Sequence, residues 1–237
     1  MTEPWTLGHV LGVWGHPDDE GYLSAAHMMR ALDAGCRVAC VTATRGELGS
    51  TDPERWPAGE SLARVRTAEM EAALAVLGVQ DHTWLDYPDG GCAQVDPAEG
   101  TSRVLEHIVR TRPDTILTFG PDGMTGHSDH QAVSRWVDLA VAEHAAQGGV
   151  APRVLHATNT PEWLGRWRAR LDEANVYMGA EPPCTPLNEQ VSHIELTDAE
   201  RDRKVEAMLC QISQIQPLLD LFGKDTFQEA FSEESFQ

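Results

Sequence analysis

The chain has 237 residues, enough for one large α/β domain, and its 37 acidic against 18 basic residues give a formal net charge of −19. This charge argues against a general affinity for nucleic acid or for anionic membranes. The first residues lack a signal-peptide pattern, and no apolar run approaches the roughly 20 residues that span a bilayer, so we expect a cytoplasmic protein. The five cysteines include no CxxC pair, so neither a disulfide framework nor a thiolate zinc site is predicted.

The first predicted strand, over residues 10–14, runs into a group of polar side chains. Its continuous apolar run is typical of a strand buried on both faces. Pro17 then turns the chain at the carboxyl edge of the sheet, where open α/β sheets bind ligands. His16 and Asp19 offer an imidazole and a carboxylate suited to a cation such as zinc, and Asp18 could accept a proton. The alternative is that Asp18 and Asp19 only cap the helix that follows.

The next two strands are expected to deliver their loops to the same edge. A helix over residues 22–32 and a strand over 37–43 lead into a glycine-punctuated loop that contains Glu47. Glu47 is a candidate for the wall of the site, or else a solvated residue in an ordinary turn. A short strand over 81–85 leads into a loop over 86–91, whose Pro and Gly enforce a turn that should also face the site.

The helix predicted over residues 61–77 carries an arginine on its apolar side. Arg66 precedes Met70 by four residues, so both lie on the same face and Arg66 should point inward. One interpretation is an arginine that pairs locally with Glu69. The other is an anchor for a polar group of a substrate.

A helix over residues 97–110 and a strand over 114–119 complete a βαβαβα alternation, which predicts a Rossmann-like, doubly wound, mostly parallel sheet with helices on both faces. The loop that follows contains His127 and His130, three residues apart at the start of a helix. A lone histidine at such a place is usually a satisfied polar group. A second cluster of His and Asp at the same sheet edge as His16 favours a metal site.

The rest of the chain has fewer chemical signals. A capping box from Thr197 to Glu200 predicts a helix that continues to Ile215 and is ended by Pro217. We expect a single domain over residues 1–222 and an acidic tail over 223–237 that frays. The remaining predictions are a strand at 153–158, a helix at 161–171, an irregular segment at 173–190 and an edge strand at 191–196.

The chain resembles the zinc-dependent PIG-L/LmbE-like deacetylases nearly end to end. The motifs that carry the resemblance are Gly15-His-Pro-Asp-Asp-Glu20, Thr44-x-Gly-Glu47-x-Gly49, Arg66-x-x-Glu69, Leu85-Asp-Tyr-Pro-Asp-Gly90 and His127-x-x-His130. The resemblance implies an enzyme that hydrolyses the N-acetyl group of an N-acetylglucosamine-type sugar. The substrate would be a small molecule, such as the N-acetylglucosaminyl malate or inositol of bacillithiol and mycothiol synthesis. It also implies a homo-oligomer, a trimer or a hexamer.

The resemblance also implies roles for individual residues. The implied zinc ligands are His16, Asp19 and His130. Asp18 would be the general base, and His127, oriented by Asp129, would stabilise or protonate the tetrahedral intermediate. Arg66 would bind the substrate, and Glu47 is a second candidate substrate-binding residue.

The chain departs from the family pattern at one place. The family often ends with Lys, Ala and then His-x-Ser-Gln, whereas this chain has Gln211 at the histidine position. Glutamine cannot titrate near neutral pH, so a proton-transfer role there is in doubt.

Two rival functions are those of a metal-dependent phosphoester hydrolase and of a non-catalytic sugar- or nucleotide-binding domain. They fit less well, because the sequence has neither a Gly-rich phosphate cradle nor GxGxxG after its first strand.

Overall fold

A seven-stranded sheet forms the centre of the computed structural model, which describes residues 6–237. Its strands are β1 (Val10–Trp14), β2 (Val38–Thr44), β3 (Asp81–Tyr87), β4 (Thr115–Phe119), β5 (Arg153–Thr158), β6 (Ser192–Glu195) and β7 (Glu233–Phe236). The strand order is β3-β2-β1-β4-β5-β7-β6. Strands β1 to β5 are parallel, and β7 lies antiparallel to both β5 and β6. The predicted doubly wound, mostly parallel sheet is confirmed.

The helices pack in groups around this sheet. They are α1 (Asp19–Leu23), α2 (Ala25–Asp33), α3 (Glu60–Leu77), α4 (Pro97–Thr111), α5 (Gly123–Gly126), α6 (Ser128–Ala146), α7 (Pro161–Glu173), α8 (Asp198–Cys210), α9 (Ile212–Phe222) and α10 (Lys224–Ala230). Helices α2, α3 and α8 contact one another, and α4 packs against α6. Within the described residues, no helix combines the length and apolar character needed to cross a bilayer.

Strand β1 lies at the point where the strand order reverses. It pairs with β2 on one side and with β4 on the other, and all five of its residues are buried. In open α/β sheets, ligands bind in the crevice at the carboxyl ends of the strands that flank such a reversal. The turn after β1 and the loop after β4 therefore meet at this crevice.

A second hydrophobic cluster lies apart from the core around the sheet. It is built from α7 to α10 and the irregular segment after α7. Its buried members are Leu164, Trp167, Leu171, Tyr177, Val205, Met208, Ile215, Phe222, Phe227, Ala230 and Phe231, and Tyr22, Trp163, Val176, Leu209, Leu218, Leu219 and Leu221 pack against them.

The segment over residues 223–237, predicted as a fraying acidic tail, is instead part of the fold. It forms α10 and β7, and β7 inserts into the sheet between β5 and β6. Glu234 is only 3% exposed and pairs with the fully buried Lys204 at 2.8 Å, so the negative charge of this residue is neutralised inside the protein. The predicted tail is therefore corrected, and the first five residues of the predicted domain lie outside the described residues.

The helix predicted from the capping box ends earlier than expected. The capping box itself is present at the start of α8. The backbone leaves helical geometry at Gln211 (φ −99°, ψ 44°), and Pro217 lies inside the next helix, α9. Proline there removes the N–H that would bond the carbonyl of Ser213. The hydroxyl of Thr51 donates to that carbonyl instead, so α9 accommodates the proline.

Candidate metal centre and active site

The turn after β1 and the loop after β4 bring the three predicted zinc ligands together, with His127 beside them. His16 Nδ1 lies 2.9 Å from His130 Nε2. The carboxylate of Asp19 lies 3.8 Å from His16 Nδ1 and 3.4 Å from His130 Nε2. A ring nitrogen of His127 lies within 4.8 Å of both other imidazoles. Four side chains that can each ligate a cation therefore meet at the carboxyl edge of the sheet.

The other nitrogen of each imidazole is held by a second contact. Nδ1 of His130 donates to the Gly123 carbonyl at 2.9 Å, which leaves its Nε2 with a lone pair. Nε2 of His16 contacts Asp89 Oδ1 at 3.1 Å and Asp129 Oδ2 at 3.3 Å, so its proton is directed to these carboxylates. Ligating histidines commonly donate their second N–H to a carboxylate or a backbone carbonyl. Two lone pairs that face each other at 2.9 Å require a proton or a cation between them, so this donor set fits a borderline divalent cation such as Zn²⁺.

Local packing holds these side chains in place. The Phe119 ring stacks on the His130 ring, with centroids 4.0 Å apart and planes within 5°. A Cβ on Gly15 would approach His130 Cδ2 to 2.8 Å, so glycine is required there. The Asp19 carboxylate accepts the His16 backbone N–H at 2.7 Å, which ties the two ends of the turn together.

Asp18 lies beside this cluster in an unusual backbone conformation. Its φ of 116° is rare for a non-glycine residue, and the carboxylate of Glu20 accepts its backbone N–H at 3.0 Å. Glu20 is fully buried, and it is a site residue that the sequence analysis did not single out. Burial raises the pKa of Asp18 to about 7, against the opposing effect of the Arg66 guanidinium.

The carboxylates around His16 favour positive charge at this point. Burial lowers the pKa of His16, but the hydrogen bonds with Asp129 and Asp89 outweigh it and raise the pKa to about 10. Burial opposes the ionisation of Asp89, yet its hydrogen bond and charge interaction with His16 lower its pKa to about 2. A divalent cation would satisfy the same preference for positive charge. Asp89 was missed as a site residue, although its Pro-Asp-Gly turn was expected to face the site.

Asp129 orients a different histidine from the one expected. Its carboxylate contacts His16 and accepts backbone N–H bonds from Gly90 at 2.8 Å and Cys92 at 3.0 Å. Only its backbone N–H reaches His127, by donating to Nδ1 at 3.1 Å. His127 therefore caps α6 with Nδ1 as acceptor, which leaves Nε2 to carry the ring proton. Burial and the nearby charge of His16 lower the pKa of His127, so the neutral ring is favoured over the expected imidazolium.

Arg66 is buried beneath the site as predicted, but its contacts differ. Its Nη1 donates to the Gly46 carbonyl at 2.9 Å, its Nη2 donates to the Pro17 carbonyl, and Nη2 lies 3.4 Å from Asp18 Oδ2. A Cβ on Gly46 would lie 2.1 Å from Nη1, so glycine makes room for the guanidinium. Arg66 thus joins the turn that contains Asp18 to the loop after β2.

Neither Glu69 nor Glu47 makes the contact that the sequence suggested. Glu69 does not pair with Arg66, because its carboxylate accepts the N–H of Ser213 at 3.0 Å and the hydroxyl at 2.6 Å. Glu47 accepts the backbone N–H of Asp89 at 2.9 Å and is not among the described residues that line the cavity. The carboxylate of Glu47 therefore holds the backbone of the loop that contains Asp89.

A cavity of about 580 Å³ opens over this cluster. Its wall is partly charged and partly apolar. The charged and imidazole side chains include His16, Asp18, Asp19, Arg66, Asp89, His127 and His130, and the apolar lining residues include Phe119, Met124, Trp163, Tyr177, Leu218 and Phe231.

The chain is similar in sequence to curated proteins over much of its length. A protein named 1D-myo-inositol 2-acetamido-2-deoxy-alpha-D-glucopyranoside deacetylase, from Kineococcus radiotolerans, is 34% identical over 60% of this chain and 48% of its own length. A protein of the same name, numbered 2, from Catenulispora acidiphila is 35% identical over 83% of this chain and 72% of its own length. The chain therefore spans about half the length of the first relative and nearly three quarters of the second.

Solved structures share the fold at lower identity. N,N'-diacetylchitobiose deacetylase from Pyrococcus horikoshii has a TM-score of 0.63 at 20% identity, over 97% of this chain and 82% of that one. GalB, a 4-carboxy-2-hydroxymuconate hydratase from Pseudomonas putida, has a TM-score of 0.64 at 17% identity, over 94% and 82%. The fold alone therefore does not determine the reaction. The PIG-L family, described as GlcNAc-PI de-N-acetylase, matches residues 11–141, and the chain belongs to this family.

Proposed function

We propose that this chain is a zinc-dependent hydrolase that removes the N-acetyl group from an N-acetylglucosamine-type sugar conjugate and releases acetate and the free amine. The observation that carries the proposal is the pair of imidazole nitrogens, His16 Nδ1 and His130 Nε2, which face each other at 2.9 Å on the wall of a cavity. Each is oriented by a contact at its other nitrogen. Family membership supports the same reaction.

His16, Asp19 and His130 are the proposed ligands of the cation. Two imidazoles and one carboxylate form a three-ligand set of the kind that leaves a catalytic zinc an open position. A Zn²⁺ ion bound there would supply Lewis acidity toward the amide carbonyl and toward a water molecule.

Asp18 is the proposed general base. Its carboxyl lines the cavity next to Asp19, and burial brings its pKa to about 7, near the value at which a base is most effective at neutral pH. Arg66 and Glu20 hold Asp18 from its side chain and its backbone. Asp18 would take the proton of the attacking water.

His127 is the proposed donor to the oxyanion that develops on the amide carbonyl. Because Nδ1 accepts the Asp129 backbone N–H, the proton on Nε2 is available as a hydrogen-bond donor. A neutral imidazole suffices for this role, and we assign no proton transfer to His127.

The names of the relatives favour an inositol conjugate over a malate conjugate as the natural substrate, since both relatives described above are named for inositol. The malate conjugate of the bacillithiol type has no such support. The trimer or hexamer implied by the family resemblance stays a prediction.

The proposal is tested by measuring acetate release from N-acetylglucosaminyl inositol, N-acetylglucosaminyl malate and methyl N-acetylglucosaminide. Each is assayed with chelated protein before and after Zn²⁺ is restored, and 4-nitrophenyl phosphate serves as the control substrate. We expect acetate release that depends on Zn²⁺ and no phosphate release. Acetate release that persists after chelation would contradict the metal assignment, and phosphate release alone would favour the phosphoester hydrolase.

A further inference from the structure

The second hydrophobic cluster forms part of the wall of the cavity. Eight residues of that cluster line the cavity, and we call this part of the wall the apolar chamber. These residues are Tyr22, Trp163, Leu171, Val176, Tyr177, Leu218, Ala230 and Phe231. Four are aromatic and four are aliphatic, and they come from α1, α7, α9, α10 and the residues that follow α7 and α10. One cavity is therefore lined both by the proposed metal ligands and by this apolar set.

Most polar side chains that line the cavity outside the metal centre already have partners within the protein. Glu233, Glu234 and Gln214 bond Thr160, Lys204 and Ser213. The Thr158 hydroxyl, the Asn159 amide and the Ser235 hydroxyl each make a hydrogen bond to another residue. Their partners are Thr185, Pro183 and His193, at 2.9, 3.0 and 2.9 Å. A ring with several hydroxyl groups would exchange its water for few new hydrogen bonds here, which is unfavourable.

The size of the cavity also exceeds what one sugar ring requires. Cavities of roughly 300–1,000 Å³ bind ligands of drug size and are mostly apolar with a few placed polar groups. The cavity here, at about 580 Å³, falls in that range. A sugar bound at the metal centre therefore leaves room for a further group in the chamber.

We propose that the apolar chamber binds an alkyl or aryl group of the substrate, so that the preferred substrate is amphipathic, whichever polar group it also carries. This inference rests on the proposed function, because the amide of the same molecule must reach the metal centre. The apolar group could be joined to the sugar as its aglycone or could replace the acetyl as a longer acyl chain. Both use the same chemistry of burial against aromatic and aliphatic side chains.

Two substrate series test the proposal and separate the two attachments. In the first, N-acetylglucosamine carries n-alkyl aglycones from methyl to octyl. In the second, the methyl glycoside carries N-acyl chains from acetyl to octanoyl. Burial of one methylene favours binding by about fourfold. We therefore expect kcat/KM to rise roughly two- to fourfold per methylene in at least one series until the chamber is filled. A rise in the first series identifies the aglycone, and a rise in the second identifies the acyl chain.

Matched variants then locate the effect. Leu218 and Leu219 are neighbours on α9, both are half-buried and both pack against the second hydrophobic cluster, but Leu218 lines the cavity and Leu219 does not. Leu218→Gln should reduce the ratio of octyl to methyl kcat/KM by about tenfold or more, while Leu219→Gln should leave the ratio unchanged. Val176→Thr keeps the side-chain shape and should lower the ratio by a smaller factor.

If kcat/KM stays constant or falls with chain length in both series while acetate is released from the methyl glycoside, the chamber proposal is wrong and the proposed function stands. Equal effects of Leu218→Gln and Leu219→Gln on the ratio would also overturn it. Calorimetry with n-alkyl glucosides, which lack the amide, separates the two hypotheses. Tighter binding with chain length but no acetate release from any substrate would overturn the proposed function and support the chamber.

Discussion

Replacing Glu234 by glutamine removes a negative charge from the interior of the protein. One carboxylate oxygen of Glu234 accepts Lys204 Nζ at 2.8 Å and the Ala26 N–H at 2.9 Å. The other contacts the His27 backbone N–H at 3.1 Å and Nδ1 at 2.7 Å. Lys204 is fully buried, and its remaining bond is to the carbonyl of Tyr22 at 2.9 Å. Glu234→Gln therefore leaves a buried ammonium group without a counter-charge.

The loss of stability expected for Glu234→Gln follows from the pKa of Glu234. Burial alone would raise it, but the charge of Lys204 and the bond with His27 outweigh burial and lower it from 4.5 to about 2. A lowering of this size corresponds to about 3 kcal/mol of stability when the carboxylate is ionised. Breaking a buried ion pair by removing one partner typically costs about 3–5 kcal/mol, which agrees. We expect Glu234→Gln to lower the free energy of unfolding by about 3 kcal/mol at pH 7.

The sign of the pH dependence follows from the same pKa. Glu234 has a lower pKa in the folded protein than in the unfolded chain, so its stabilisation is complete above pH 4.5 and is lost as the pH falls toward about 2. The difference in stability between the parent and Glu234→Gln should therefore be constant from pH 7 to about 5 and shrink between pH 4.5 and 2.

Urea denaturation of the zinc-loaded proteins, followed by circular dichroism, measures this difference at each pH. Glu233→Gln is the matched control, because Glu233 precedes Glu234 on β7, is only half-buried and bonds the Thr160 hydroxyl at 3.1 Å. It should change stability by less than about 0.5 kcal/mol. Equal stability of the two variants at pH 7, or a difference that does not vary with pH, would refute the reasoning.

Three further predictions concern the candidate site. His16→Ala, Asp19→Ala and His130→Ala should each lower the zinc content found by metal analysis, because each removes a proposed ligand; full occupancy in all three would disprove the assignment. Asp18→Asn should keep zinc but lower kcat by about 10²–10⁴-fold, since an amide cannot accept the proton, and a near-normal kcat would disprove its role as general base. Arg66→Ala should lower both kcat and the melting temperature, because the guanidinium joins two loops of the site. A higher KM with unchanged kcat and stability would instead support the predicted substrate anchor.

The centre of the parallel sheet was predictable because β1, β2 and β4 are buried on both faces and contain no charged residues. Strand β7 was not, since its sequence Glu-Glu-Ser-Phe has neither an apolar run nor apolar alternation. It is stable as an interior strand because the charge of Glu234 is balanced by Lys204, which lies thirty residues earlier in the chain. A pairing of this kind depends on how α8 packs and leaves no local pattern in the sequence.

The meeting of His16, Asp19 and His130 was also predictable, because the carboxyl ends of adjacent parallel strands share one edge of the sheet. The partners of Arg66 and Asp129 were not. Spacing along a helix indicates which side chains can touch, as for Arg66 and Glu69, but tertiary contacts decide which pairs form. Arg66 instead bonds backbone carbonyls of two loops, and Glu69 turns toward α9.

Gln211 shows how the departure from the family pattern is accommodated. Its amide donates to Glu20 Oε1 at 2.7 Å, and Glu20 Oε2 accepts the backbone N–H of Asp18 at 3.0 Å. The three residues thus form a chain of hydrogen bonds from the break between α8 and α9 to the proposed general base. Burial, reinforced by the charge of Asp18, raises the pKa of Glu20 to about 8. Glu20 therefore needs no positively charged partner at neutral pH, and the neutral amide of Gln211 is sufficient. Through Glu20, the glutamine still helps to hold the backbone of Asp18 in place. Because an amide does not titrate, any proton required in the reaction must come from a residue other than Gln211.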